Sequence, residues 1–301
     1  MTQRVALKID VDTLRGTIEG VPSLIQLLQH HRVNATFLFS LGPDNTGRAV
    51  RRAFRRGFVR KVLRTSVVAH YGLKTLCYGT ILPAPHIGVR GRDVMRSVSN
   101  AGFEVGIHCY DHVAWQDNVA TRDYAWTRRQ MELAVDCFQG VFGTTPRTHG
   151  AAGWQMNEHV PALEAEFGFD YASDTRGTEP FWPALGRLPV RCAQLPTTLP
   201  TFDELIGVSR CTEANVAARV LERSANPTRD SHVFTLHAEL EGMKLRPAFE
   251  HLLQLWLERG VHLCSMRELY LSHPGHLSVC AVRYAGIPGR SGRLACQGEP
   301  Q

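Results

Sequence analysis

No run of roughly 18 apolar residues occurs anywhere in the 301-residue chain, which excludes a hydrophobic helix of bilayer length. The opening residues MTQRVALKID carry no apolar leader core and pass directly into a strand-like pattern, so no secretory segment is expected. Cysteine is present, but its eight copies are scattered and none forms a CxxC pair. Reduced thiols in a cytoplasmic protein are therefore expected, not a disulfide framework. Acidic residues are missing from residues 45–92, and within that stretch residues 48–64 hold eight Lys or Arg. The net charge of +6 is thus a local property, because the remainder of the chain is slightly acidic. There is no internal repeat and no hinge-like linker.

What is present is a regular alternation. Short apolar or β-branched runs at residues 5–12, 34–40, 104–110, 147–153, 169–173, 194–198, 232–237 and 261–265 read as strands. Helix-period segments lie between them, at about residues 22–31, 93–100, 121–142, 157–167, 213–224 and 247–259. This is the pattern of repeated βα units and a mainly parallel sheet, so the expected fold class is α/β, a single-domain barrel of about seven strands. Residues 46–92 interrupt the alternation as a basic insertion. The glycine-rich tail, residues 273–301, shows little periodicity and is expected to be loose.

In such a barrel, catalytic groups project from the carboxyl ends of the strands. Those ends carry Asp10 and Asp12, His108 and His112, Asp170 and Asp174, then His237 and Glu239. Asp10 and Asp12 are two residues apart on a strand and share a face, where their like charges call for a cation or a proton. His108 and His112 stand at i, i+4, close enough on one helical face to share a metal ion. Two imidazoles and one carboxylate leave coordination positions open for water and substrate, as a catalytic metal requires. Iron oxygenases use the same donor set, but their His-x-Asp start is missing and the α/β alternation does not suit them.

With these motifs the chain resembles the NodB-type polysaccharide deacetylases, carbohydrate esterase family 4, over roughly residues 2–270. The resemblance implies a deformed (β/α) barrel and one divalent metal ion, with zinc, cobalt, manganese and nickel all compatible. It assigns Asp10 as general base and Asp12, His108 and His112 as metal ligands, although Cys109 stands where the family has Ser or Thr. His237, in Thr235-Leu-His237, becomes the general acid, with Asp170 or Asp174 available to charge it. The arginine that orients the base in the family has two rival positions, Arg147 and Arg176. Backbone N–H groups near Tyr110 or Gly153 would face the oxyanion, and Glu239 would line the substrate site; Trp115, Trp154 and Trp182 could stack on a sugar, although core or rim is the commoner place for each. His149 is expected as a substrate contact or a surface residue.

Six runs, IDVDTLRGTIEGVP, LGPDNTG, GIHCYDHVAWQ, AAGWQ, SDTRG and LHAELEG, are similar to one branch of the family. That branch removes a formyl group from an arabinose carried on undecaprenyl phosphate, a step toward lipid A modification and polymyxin resistance. Deacetylation of another N-acylated sugar and a non-catalytic glycolipid-binding barrel are the alternatives, and the presence of both Asp10 and His237 speaks against the second. In the basic segment Val50, Phe54, Phe58 and Val62 form one apolar row among cations. This suits an anionic membrane surface, such as the cytoplasmic face of the inner membrane, better than a nucleic acid.

Overall fold

The computed structural model describes residues 2–49, 67–186, 188–225, 230–273, 275 and 277–301. Apart from its first two residues, the basic segment 48–64 lies outside the described residues. Among the described residues twelve strands are formed: β1 (Arg4–Val11), β2 (Thr36–Ser40), β3 (Glu104–Cys109), β4 (Thr148–His149), β5 (Tyr171–Ala172), β6 (Phe181–Leu185), β7 (Leu188–Pro189), β8 (Ala193–Gln194), β9 (Ser231–His237), β10 (His262–Cys264), β11 (Ser278–Ala285) and β12 (Leu294–Pro300).

Residues Val5 to Val11 of β1 are all buried, because a parallel strand covered by helices has no wet face. One edge of β1 pairs with β9, while the other edge is shared by β10 near its start and β2 near its end. From β2 the parallel order continues through β3, β4 and β5 to β8. The sheet curls into a half-barrel with helices outside it, the α/β barrel expected from the alternating pattern in the deformed form that the resemblance implies. The observed strand number exceeds the expected seven chiefly because β6, β7, β11 and β12 fall outside the runs read as strands.

The larger correction concerns the carboxyl-terminal tail. Instead of being loose, β11 pairs parallel with β6 and β12 pairs antiparallel with β11, extending the main sheet. Cys280, Leu294 and Ala295 are buried there, and the Gln297 side chain accepts a 2.8 Å bond from the Thr178 N–H. Most side chains of β11 are only half-buried, so no strong alternation marks it in the sequence, and the connecting IPGRSG run reads as irregular chain.

A buried polar cluster joins the short strands. His149 Nδ1 lies 2.8 Å from Glu164 Oε1 and 3.1 Å from Asp174 Oδ1. The Gln194 amide donates to Asp174 Oδ2 at 2.6 Å and to Glu164 Oε2 at 3.2 Å, and the Ala151 N–H donates to Asp174 Oδ1. These ligand-type atoms are close enough for a metal ion. However, each carboxyl oxygen already faces an N–H group, so the cluster is satisfied without one. Burial opposes a charge on His149, yet the Asp174 and Glu164 carboxyls raise its pKa to about 9. Burial likewise works against the Asp174 carboxylate, but His149 outweighs it and lowers that pKa to about 2. Burial, helped by Asp174, pushes Glu164 well above the ordinary carboxyl range.

A folded-state His149 pKa above the unfolded value of about 6.5 contributes stability that is full below that pH and is lost as pH rises through about 9. Replacing His149 by Gln breaks a buried pair, and about 3–5 kcal/mol of stability should disappear at pH 6.5. The gap between wild type and His149→Gln should narrow toward pH 9, as read from urea midpoints at the two pH values. A gap that stays constant would contradict the ion-pair description.

Candidate active site

Asp12 follows the carboxyl end of β1, and its backbone is held by a carboxyl from the loop after β9. Glu239 Oε1 accepts from the N–H of Asp12 at 3.0 Å, the N–H of Thr13 at 2.8 Å and the Thr13 hydroxyl at 2.8 Å. Gly16 is required beside it, since a Cβ there would fall 1.9 Å from the same oxygen. The Asp44 carboxylate accepts from the Leu14 N–H at 2.9 Å and fixes the next turn. Burial, together with the Asp12 carboxylate, pushes Glu239 well above its usual range. Glu239 is thus a buried support for the β1 loop, where the sequence suggested a substrate contact.

The two histidines come from different elements. His108 is on β3 and buried, whereas His112 opens the helix His112–Asn118. The i, i+4 spacing therefore works across a strand-to-helix turn and not along one helical face. Asp111 caps that helix by accepting from the Ala114 N–H at 2.9 Å, and the Asn45 amide grips its other oxygen at 2.6 Å. His108 Nε2 lies 3.3 Å from Asp12 Oδ1, and His112 Nε2 lies 3.5 Å from Asp12 Oδ2.

One hydrogen bond decides what this arrangement needs. His108 Nδ1 is 2.6 Å from the Gly150 carbonyl oxygen, which only accepts, so Nδ1 carries the hydrogen. In a neutral ring, Nε2 then presents a lone pair toward a carboxylate that is also an acceptor. Such a pair of facing acceptors is stable only with a cation or a proton between them. Asp12 Oδ1 is buried without a hydrogen-bond partner among the described residues. Burial lowers the His112 pKa despite Asp12, which favours the neutral ligand form. For Asp12, burial is outweighed by His112, His108 and His237, which hold the carboxyl well below its ordinary range. Asp12, His108 and His112 thus make a fitting N₂O donor set for a divalent ion, the three atoms lying within 4.8 Å of one another.

Asp10 sits beside this set on β1, 2% exposed. Its Oδ2 is 3.2 Å from Lys8 Nζ, and its Oδ1, 3.7 Å from His108 Nδ1, has no hydrogen-bond partner among the described residues. His237 ends β9 directly opposite Asp10 in the pairing register. The His237 N–H donates to Glu241 at 2.7 Å, while its ring Nδ1 is buried without a partner among the described residues. Burial raises the Glu241 pKa to about 8. A carboxylate and an imidazole therefore flank the candidate metal position.

Other expected members do not join. Arg147 and Asp170 precede β4 and β5 and pair with each other at the amino ends of those strands, away from the strand ends that carry Asp10 and His237. Arg176 pairs with Glu204 and lies over the Trp154 ring at 5.0 Å. Asp174 serves His149 and not His237, so neither aspartate takes the expected place beside the acid. Trp115, 1% exposed, bonds the Gln155 carbonyl, and Trp154, 2% exposed, bonds Thr197 Oγ1; neither presents an open face to a sugar. His149, expected at the substrate or the surface, is core. Tyr110 is half-buried, with its carbonyl taken by the Gly42 N–H, and Gly153 adopts a φ of 63° where a Cβ would press on Gln116. The sequence reading passed over Lys8, Asp111, Glu164 and Glu241. A lysine inside the otherwise apolar run VALKI was the available signal for the first.

The family model for polysaccharide deacetylase matches residues 3–172. The chain is 34% identical over 294 residues to a Shewanella sediminis protein named "Probable 4-deoxy-4-formamido-L-arabinose-phosphoundecaprenol deformylase ArnD", covering 98% of this chain and 94% of that one. It is 32% identical over 285 residues to a protein of the same name from Wigglesworthia glossinidia brevipalpis, with 94% and 98% covered. Among solved structures, PuuE allantoinase superposes at a TM-score of 0.60 with 16% identity, over 91% of this chain and 92% of its own. A family 4 acetyl xylan esterase from Clostridium thermocellum, solved with a cobalt ion, superposes at 0.51 with 14% identity over 90% and 91%, and both likenesses concern the fold. The chain belongs to the polysaccharide deacetylase family and is a hydrolase acting on an amide bond.

Proposed function

We propose that this hydrolase is metal-dependent and removes the N-formyl group of 4-deoxy-4-formamido-L-arabinose-phosphoundecaprenol. The observation that carries the metal is the facing pair of acceptors, His108 Nε2 and Asp12 Oδ1, 3.3 Å apart. The substrate rests on likeness along nearly the whole chain to proteins named for that deformylation.

Asp12, His108 and His112 would hold the ion, which supplies Lewis acidity to the formyl carbonyl and to the attacking water. Asp10 accepts the proton that water gives up as its oxygen bonds to the formyl carbon. His237 gives a proton to the sugar nitrogen as the C–N bond breaks, since an unprotonated amide nitrogen is a poor leaving group. Water, split between the two products, yields formate and the free 4-amino sugar. Backbone N–H groups around Tyr110 and Gly153 are candidate partners of the oxyanion. The enzyme would work as a peripheral protein at the cytoplasmic membrane face, where a lipid-linked sugar presents its head group.

Two variants separate the roles. Asp12→Ala should lose bound metal and turnover together. Asp10→Asn should keep the metal, while turnover falls by about 10²- to 10⁴-fold, the range of a lost general base. The assay follows the intact lipid by mass spectrometry, where loss of one CO unit reports deformylation and the N-acetyl analogue serves as comparison. Full turnover in Asp10→Asn would remove Asp10 from the role of base. For the membrane, the protein should sediment with anionic phosphatidylglycerol vesicles at low salt and be released when residues 48–64 are deleted. Equal sedimentation of the deletion variant would rule that segment out as the anchor.

A further inference from the structure

Lys8 is the buried charge that this mechanism leaves without a task. It has no exposed surface, and an ammonium taken fully out of water is tolerated only when paired. Its Nζ has two close oxygen partners: Asp10 Oδ2 at 3.2 Å and the Ser173 carbonyl at 3.1 Å. The Trp154 ring adds a third, weaker neighbour, its centroid 5.4 Å away. Two-residue spacing places Lys8 and Asp10 on one face of β1, with Asp12 just past its end.

The partner at Ser173 is itself immobile. The Ser173 hydroxyl donates to the Leu195 carbonyl at 2.7 Å, and its N–H donates to the His149 carbonyl at 2.8 Å. The next residue, Asp174, belongs to the buried histidine cluster. The lysine stem is also shaped for, since a Cβ on Gly150 would come within 3.0 Å of Lys8 Cε and 2.5 Å of Leu38. Both arginines that could have faced Asp10 are engaged elsewhere, Arg147 with Asp170 and Arg176 with Glu204.

We infer that Lys8 is the positioning residue of Asp10: anchored on the Ser173 carbonyl, it holds Asp10 Oδ2 so that Oδ1 remains the oxygen turned toward the metal site. The cation comes from the same strand as the base, two residues before it. This inference rests on the reading of Asp10 as general base.

The test uses the full chain loaded with zinc and the formamido-arabinose lipid in detergent, comparing wild type, Lys8→Met, Asp10→Asn and the double variant. Lys8→Met should keep one zinc per chain and lower kcat by about 100-fold, the cost of a misplaced catalytic group, with KM changed by no more than about threefold. A residue that acts through Asp10 has nothing left to orient once Asp10 is gone. The double variant should therefore match Asp10→Asn within about twofold. It also removes both charges and so serves as the control for folding. Unchanged kcat in Lys8→Met, or a double variant slower than Asp10→Asn by the full Lys8 factor, overturns the inference. A wild type that leaves the lipid intact sinks the substrate reading instead. Crystal structures of zinc-loaded wild type and Lys8→Met then decide the point: a turned Asp10 carboxylate supports the role of Lys8, and an unmoved one refutes it.

Discussion

Two buried or half-buried carboxylates at the end of one strand cannot both stay ionised unless positive charge lies close to each, and the surrounding structure divides that requirement. Asp10 has the Lys8 ammonium at 3.2 Å, while Asp12 has two imidazole nitrogens at 3.3 and 3.5 Å, a donor set whose positive charge a divalent ion would supply. The division makes the two acids chemically different although only one residue separates them. Asp10 has one oxygen beside an ammonium and the other without a hydrogen-bond partner among the described residues. Asp12 faces an imidazole nitrogen with each of its oxygens, an arrangement that a divalent ion would complete.

Holding such charges in place takes a rigid frame, and most of the polar residues around the site form it. Glu239 ties the backbone after Asp12, Asp111 caps the helix that presents His112, and the Gly150 carbonyl sets the tautomer of His108. Gly150 follows His149, whose buried pairing with Asp174 and Glu164 locks the end of β4. Outer groups of this kind fix ligand orientation as surely as the ligands fix the ion. The frame also explains why the chain keeps several buried acids that the reaction itself does not use.

Much of this is legible in the sequence. Apolar strand runs followed by acids or histidines located Asp10, Asp12, His108, His112 and His237, because a parallel barrel presents its carboxyl strand ends together. Three kinds of residue are not. Arg147 and Asp170 lie in the right runs, but β4 and β5 are only two residues long, so both fall at the amino end where they serve each other. Trp115 and Trp154 look like sugar platforms in composition and are core by packing. Lys8 looks like a solvent-facing residue until the strand proves to be buried on both sides. The last two strands, β11 and β12, escaped notice because they extend the sheet with half-buried faces that leave little periodicity.

A divalent ion would belong to Asp12, His108 and His112 and not to the second histidine–carboxylate cluster, whose oxygens already have N–H donors. Anomalous diffraction at the zinc edge, from crystals grown with zinc, separates the two directly. A single peak within bonding distance of His108 Nε2, His112 Nε2 and Asp12 is the predicted result. A peak between His149, Glu164 and Asp174, with none at Asp12, would contradict it.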